Sequence, residues 1–109
     1  MSRYSLTPAA EQDIDESVSF VASDRPAAAV RWLERIEAVC EELAEYPAMG
    51  VSRLALGAGV RAFPVENYVI YYRKRRKEVQ VLRVLHAARD VPNVFDDTAG
   101  GANPVRRFK

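Results

Sequence analysis

The segment that most constrains the fold runs from Asn67 to Asp90, NYVIYYRKRRKEVQVLRVLHAARD. Its two halves, 67–73 and 79–85, are rich in Tyr, Val, Ile and Leu, which is typical of β-strands. Five consecutive cations, Arg73 to Lys77, separate the two apolar stretches. Both halves carry apolar residues at odd and even positions, which indicates strands inside a sheet with at least one face covered. We therefore expect a β-hairpin at the centre of the fold.

Two helices are predicted ahead of this hairpin, after a short strand candidate at 3–6. Thr7 and Pro8 are typical of a helix start, because threonine caps free N–H groups and proline at the first position loses no hydrogen bond. From Ala27 to about Tyr46, apolar residues recur at helical spacing. Since only a short break separates the two helices, we expect them to form a helical hairpin that packs against a sheet.

The predicted fold class is α+β, with the order β-α-α-β-β-β. The stretch 51–59 is expected to be a loop, and a third short strand is expected at 60–63, where the following Pro64 favours an edge position or a bulge. The strands should form a small, mainly antiparallel sheet with the helical hairpin on one face. We expect a single domain over residues 1–91 and an irregular tail over 92–109, which is rich in Pro, Gly and Asp.

Composition excludes several classes of protein. No apolar run approaches the roughly 20 residues that span a bilayer, and no signal-peptide pattern opens the chain, so we expect a cytoplasmic protein with no membrane partner. Cys40 is the only cysteine and His86 the only histidine. We therefore expect a buried structural thiol, no internal disulfide, no metal site and no cofactor.

The net charge of +1 conceals two halves of opposite charge. Residues 1–50 hold four Arg against ten Asp or Glu, a net of −6, whereas residues 51–109 hold twelve Lys or Arg against five Asp or Glu, a net of +7. A basic strand half favours an acidic partner, either nucleic acid or an acidic protein surface. We also expect the five adjacent cations to disfavour a compact turn, because they repel one another.

Three side chains could act chemically on a phosphate: Arg61, Arg83 and His86. The arginines can bind a phosphate or a carboxylate, or pack in ion pairs. The histidine suits proton transfer at neutral pH but equally suits a structural hydrogen bond at a strand end. Strand alternation places Arg83 and His86 on opposite faces unless a bulge intervenes, which argues against an adjacent catalytic pair.

Several segments together resemble the RelE/ParE superfamily of toxins. They are YSLTPAA at 4–10 with Asp13-Ile14, YPAMG at 46–50, GVR at 59–61, NYVIYYR at 67–73 and RVLHAARD at 83–90, of which the last resembles the closing motif of the ParE branch. The resemblance covers about residues 3–91, and the family's β-α-α-β-β-β layout agrees with the order predicted above.

The resemblance implies the toxin of a type II toxin–antitoxin pair, neutralised in a hetero-oligomer by a ParD-like antitoxin. ParE-like members typically poison DNA gyrase by binding, whereas RelE-like members are ribosome-dependent mRNA endonucleases. The lysines and the late tyrosine of the nucleases are missing here, since no Lys precedes Lys74 and no Tyr follows Tyr72. We therefore favour gyrase inhibition without enzymatic activity. A nuclease that uses Arg61, Arg83 and His86, and an inactive antitoxin-binding member, stay open as alternatives.

For the gyrase-binding role, the candidate target contacts are exposed cations of the basic strand half: Arg73, Lys74, Arg75, Arg76, Lys77, Arg83 and Arg89.

Overall fold

The computed structural model describes residues 3–89, which form five strands and two α-helices. In chain order the elements are β1 (Arg3–Leu6), α1 (Pro8–Ala22), α2 (Pro26–Glu45), β2 (Val51–Ser52), β3 (Arg61–Val65), β4 (Tyr68–Arg75) and β5 (Glu78–His86), with short 3₁₀ turns at Pro47–Met49 and Leu54–Leu56. The predicted tail, 92–109, lies outside the described residues.

The strands form one sheet in the order β1-β5-β4-β3-β2. The β1–β5 pair is parallel, and the other three pairs are antiparallel. This arrangement confirms the predicted α+β fold, the mainly antiparallel sheet and the central position of the hairpin, here β4 and β5. The stretch 51–59 was expected to be a loop, but Val51 and Ser52 pair with Ala62 and Arg61 as the edge strand β2. Two residues are too few for strand alternation to reveal this pairing in the sequence.

The cap at the start of α1 also joins the helix to the sheet. The Thr7 hydroxyl accepts a hydrogen bond from the Ala10 N–H at 3.0 Å and donates one to the Leu82 carbonyl at 2.8 Å. The Thr7 N–H donates to the carbonyl of Val81. The predicted cap is therefore confirmed, and it fixes the point where the chain leaves β1 beside β5.

The main core lies between the helices and one face of the sheet. Apolar residues at helical spacing on α2, among them Ile36, Val39 and Leu43, pack with Ile70 and Val81 of the sheet, and all five are buried. Buried apolar side chains of this kind supply most of the free energy of folding.

Cys40 of α2 belongs to the same core and is 1% exposed, which confirms the predicted buried thiol. Burial, followed by the neighbouring carboxylates of Glu37 and Glu41, raises the pKa of Cys40 to about 12. The thiol is therefore protonated and unreactive at neutral pH in the folded protein.

A smaller cluster covers part of the opposite face of the sheet. Its buried members are Val60, Ala62, Tyr71 and Leu85, and Leu56 from the second 3₁₀ turn packs against them. The two clusters explain why β4 and β5 carry apolar residues at odd and even positions, since each strand contributes side chains to both faces.

Neither α-helix within residues 3–89 has the length and apolar character that a membrane span requires.

Tyr72 fastens the segment after α2 to the sheet. Its hydroxyl donates to the carbonyl of Pro47 and accepts from the Gly50 N–H, each at 2.8 Å, while Arg61 donates to the Gly50 carbonyl at 2.7 Å. A Cβ atom at position 50 would collide with the Tyr72 hydroxyl and lie 2.9 Å from the Ala62 carbonyl oxygen, so only glycine fits. Burial raises the pKa of Tyr72, against the opposing effects of the Gly50 hydrogen bond and of Arg61.

The turn of the hairpin is tighter than the sequence suggested. Strand β4 extends to Arg75 and β5 begins at Glu78, so only Arg76 and Lys77 form the turn. The expectation that repulsion would prevent a compact turn was therefore wrong. The side chains of successive strand residues point to opposite faces, which separates like charges, and Arg76 adopts a left-handed φ of 52° that closes the turn.

We predict that Tyr72→Phe destabilises the fold by about 1–3 kcal/mol, because the Gly50 N–H and the Pro47 carbonyl both lose their partner in a buried place. Urea unfolding followed by circular dichroism measures the change. The control is Tyr46→Phe, which removes a hydroxyl from a side chain that is 61% exposed and should leave the midpoint unchanged. Equal midpoints for the two variants would show that the Tyr72 hydrogen bonds do not hold this segment.

Candidate target-binding surface

A β-bulge in β5 sets the direction of Arg83. Tyr71 pairs with Arg83 but Tyr72 pairs with Val81, so Leu82 has no partner in β4. A bulge shifts the alternation of side chains by one residue. Val81 and Val84 both belong to the main core as a result, although they are three residues apart. The bulge lies before Arg83 and not between Arg83 and His86, so the alternation predicted for these two residues is unchanged.

Arg83 is buried in a bidentate ion pair with Asp13 of α1. The guanidinium Nε donates to Asp13 Oδ2 at 2.7 Å, and the Nη2 atom donates to Oδ1 at 2.8 Å. The two residues are 9% and 7% exposed. The hydrogen bond to Asp13 raises the pKa of Arg83 above its ordinary value, so the guanidinium is charged at every physiological pH.

The carboxylate of Asp13 has a further partner. Oδ2 also accepts the backbone N–H of Val84 at 3.0 Å. Strand β1 pairs with β5 only up to Val81. Asp13 therefore occupies the edge of β5 that β1 leaves uncovered, and it satisfies a backbone donor there.

The expectation that Arg83 is exposed was wrong. Its side chain lies inside the protein and is engaged by a helix 70 residues away in sequence. Sequence reasoning missed Asp13 as its partner, although a signal existed. Asp13 lies three residues after Ala10 and next to Ile14, on the apolar face of α1 where solvated acids do not belong.

His86 is the last residue of β5, and Arg89 follows it by three residues. The His86 ring is exposed and packs edge-on against Tyr68, with 5.3 Å between ring centroids. Its Nδ1 atom accepts the Ala88 N–H at 3.1 Å. Together with Phe20 and Asp13, these residues line a shallow depression between α1 and the sheet.

The three candidate catalytic residues do not converge. His86 pairs across the sheet with Tyr68, whereas Arg61 pairs with Tyr72, two strands from β5. Strand geometry puts their Cα atoms about 16 Å apart. Arg61 also donates to the Gly50 carbonyl, and Arg83 is bound to Asp13. Within residues 3–89, no group of three or more His, Cys, Asp or Glu residues is placed to hold a metal ion.

The other predicted contacts form a surface that we call the hairpin tip, Arg73 to Lys77. Strand β3 begins at Arg61, which pairs with Tyr72, so the hairpin tip of β4 and β5 extends past β3. Arg73 is half-buried and the other four cations are exposed. Arg73 and Arg75 both donate to the Gln80 side-chain oxygen, at 3.4 and 3.3 Å.

Within residues 3–89, the hairpin tip has no ion-pair partner for any of its five cations. The nearest acid in the hairpin, Glu78, instead accepts a hydrogen bond from the Ser5 hydroxyl at 3.1 Å. Arg89 lies beyond the other end of β5, about 30 Å away by strand geometry. The predicted contacts are thus divided between two separate places.

Comparison with known proteins agrees with this fold. The model of the family described as the ParE toxin of the type II toxin–antitoxin system, parDE, matches residues 4–91. A protein of Sinorhizobium fredii named "Putative toxin Y4kP" is 34% identical over 93 residues, which covers 85% of this chain and 96% of that protein. Toxin ParE3 of Caulobacter vibrioides is 38% identical over 53 residues, which covers 49% of this chain and about half, 53%, of that protein.

A solved structure of the chromosomal ParDE TA system from P. aeruginosa has the same fold. The TM-score is 0.67 at 24% identity, over 79% of this chain and 96% of the solved one. The matches to the family model and to the Sinorhizobium fredii protein define the class of this protein, which is a toxin of a type II toxin–antitoxin system. This chain belongs to the ParE toxin family.

We predict that Arg83→Met destabilises the protein by about 3 kcal/mol, because it leaves the Asp13 carboxylate buried without its counter-ion. The double variant Asp13→Asn/Arg83→Met should recover part of this loss, since asparagine is neutral and retains an oxygen for the Val84 N–H. Urea unfolding of both variants at pH 7 measures the difference. A stability of Arg83→Met equal to that of the unaltered chain, or no recovery in the double variant, would contradict the account of this ion pair.

Proposed function

We propose that this chain is a toxin that inhibits DNA gyrase by binding, and that an antitoxin of the ParD type holds it inactive. The observation that carries the proposal is the hairpin tip, where five cations project from the sheet without an acidic partner in the described residues. A surface of this charge complements gyrase-bound DNA or an acidic surface of the enzyme. Membership of the ParE family supports the same target.

The nuclease alternative has less support from the geometry. Phosphodiester transfer needs charge stabilisation and proton transfer at one phosphate, so its residues must lie within a few ångströms of each other. Arg61 and His86 are two strands apart, and Arg83 is engaged by Asp13. An Arg83→Ala variant would not test this alternative, because removal of the ion pair with Asp13 also destabilises the fold.

Exposed apolar side chains support an antitoxin as partner. Tyr46, Val51 and Leu54 are 61%, 68% and 73% exposed, and they lie close together in sequence around the edge strand β2. Antitoxin segments of the helix-in-groove or strand-addition type bury such side chains. The solved ParDE system of P. aeruginosa is a relative that pairs with an antitoxin, and we extend that pairing to this chain.

We expect induction of this chain alone to arrest growth, and co-expression of the neighbouring antitoxin gene to restore it. Purified chain at micromolar concentration should inhibit supercoiling by gyrase and accumulate cleaved DNA. Cellular transcripts should stay intact during the arrest, because the proposed target is gyrase and not translating mRNA.

Other outcomes discriminate the alternatives. If the unaltered chain causes cleavage of transcripts, and the variants Arg61→Ala and His86→Ala do not, the chain is a nuclease and the proposal is overturned. Normal growth without the antitoxin would instead indicate an inactive, antitoxin-binding member. Growth arrest with neither gyrase inhibition nor RNA cleavage would also contradict gyrase as the target.

A further inference from the structure

We infer that the hairpin tip binds the phosphate backbone of duplex DNA directly. This inference deepens the proposed function, in which the cations could meet either DNA or an acidic protein surface. It rests on the proposed function in one respect, which is that the chain meets DNA at gyrase. The binding of DNA itself does not require gyrase.

The concave shape of this surface suits a phosphate group. A shallow concavity beside the tip is lined by Arg3, Arg75, Arg76, Lys77, Glu78 and Gln80. Four cations and one carboxylate give it a formal charge of +3, and the carboxylate is already hydrogen-bonded to Ser5. Strand β1 places Arg3 directly opposite Glu78, so a cation distant in sequence joins the same site.

The cations of the tip are also available to a ligand. Lys74, Arg75, Arg76 and Lys77 are exposed, and no ion pair in residues 3–89 competes for them. Their mutual repulsion raises the free energy of the unbound protein, and a polyanion relieves that repulsion. Duplex DNA carries about one charge per 1.7 Å of helix axis, so one contact region can neutralise several of these cations together.

The chemistry of the tip distinguishes DNA from an acidic protein surface. The centres of protein–protein interfaces are rich in aromatic residues and depleted in lysine. Between Arg73 and Gln80 the only apolar residue is Val79, and it is buried in the main core. Protein–DNA interfaces are more polar and far more positively charged, as this surface is.

The test is the binding of the purified full-length chain to a fluorescent 20-base-pair DNA duplex, measured by anisotropy between 50 and 200 mM salt. Each phosphate contact contributes about 0.9 to the slope of log affinity against log salt. With four or five contacts, the affinity should fall about 250-fold over this range. In the variant Lys74→Gln/Arg75→Gln/Lys77→Gln it should fall only about sixfold, and it should be weaker at every salt concentration.

The matched control is Arg25→Gln/Arg31→Gln/Arg35→Gln. It removes three exposed cations from α2 and the residue before it, so both triple variants have the same net charge. Circular dichroism establishes that each variant is folded. The control should keep the slope of the unaltered chain. An equal decrease in slope for both variants would show a general effect of net charge and overturn the inference.

Gyrase inhibition, measured in parallel, separates this inference from the proposed function. If the chain does not bind the duplex but the hairpin-tip variant loses gyrase inhibition, the tip contacts protein and the DNA inference is wrong. If the chain binds DNA as predicted but does not inhibit gyrase, the inference holds and the proposed target is wrong.

Discussion

The ion pair between Asp13 and Arg83 is the interaction on which the arrangement of this sheet most depends. It joins the first helix to the last strand across 70 residues, with two hydrogen bonds of 2.7 and 2.8 Å. The same carboxylate accepts the Val84 N–H, at the edge of β5 that β1 leaves uncovered. One acidic side chain thus completes the edge of a strand and compensates a buried guanidinium. Neither residue could be buried alone without a large cost in free energy.

The bulge at Leu82 lies directly before the ion pair. Because the bulge adds one residue to β5, Val81 and Val84 both reach the main core, and Arg83 between them lies opposite Tyr71 of β4. The basic residues of the strand half consequently have two different roles. Arg83 stabilises the fold from inside, whereas the cations of the hairpin tip lie outside and form no ion pair within residues 3–89.

Most of the architecture could be predicted from local signals. Thr7 and Pro8 marked the start of α1, and the two-sided apolar pattern of β4 and β5 placed the hairpin within the sheet. The two-residue strand β2 could not be predicted, because its pairing with Arg61 and Ala62 depends on tertiary contacts. The compact turn was not predicted, because the repulsion within the run of like charges was considered without the alternation of strand side chains that separates those charges.

The candidate site was harder to predict than the fold. Arg83 lies in the same basic half as the hairpin tip, and nothing in its immediate neighbours distinguishes a buried arginine from an exposed one. Its burial is decided by Asp13, far away in sequence, and by a one-residue bulge. The bulge lies outside residues 83–86, for which strand alternation was argued, and its position follows from the register against β4.

The central claim is that charge inside this protein stabilises it while charge at the hairpin tip acts on the target. The most direct measurement compares growth arrest and melting temperature for Lys74→Gln/Arg75→Gln/Lys77→Gln with those of the unaltered chain. The account predicts a melting temperature that is unchanged or higher, because repulsion is relieved, together with loss of growth arrest. A folded variant that arrests growth as strongly as the unaltered chain would contradict it.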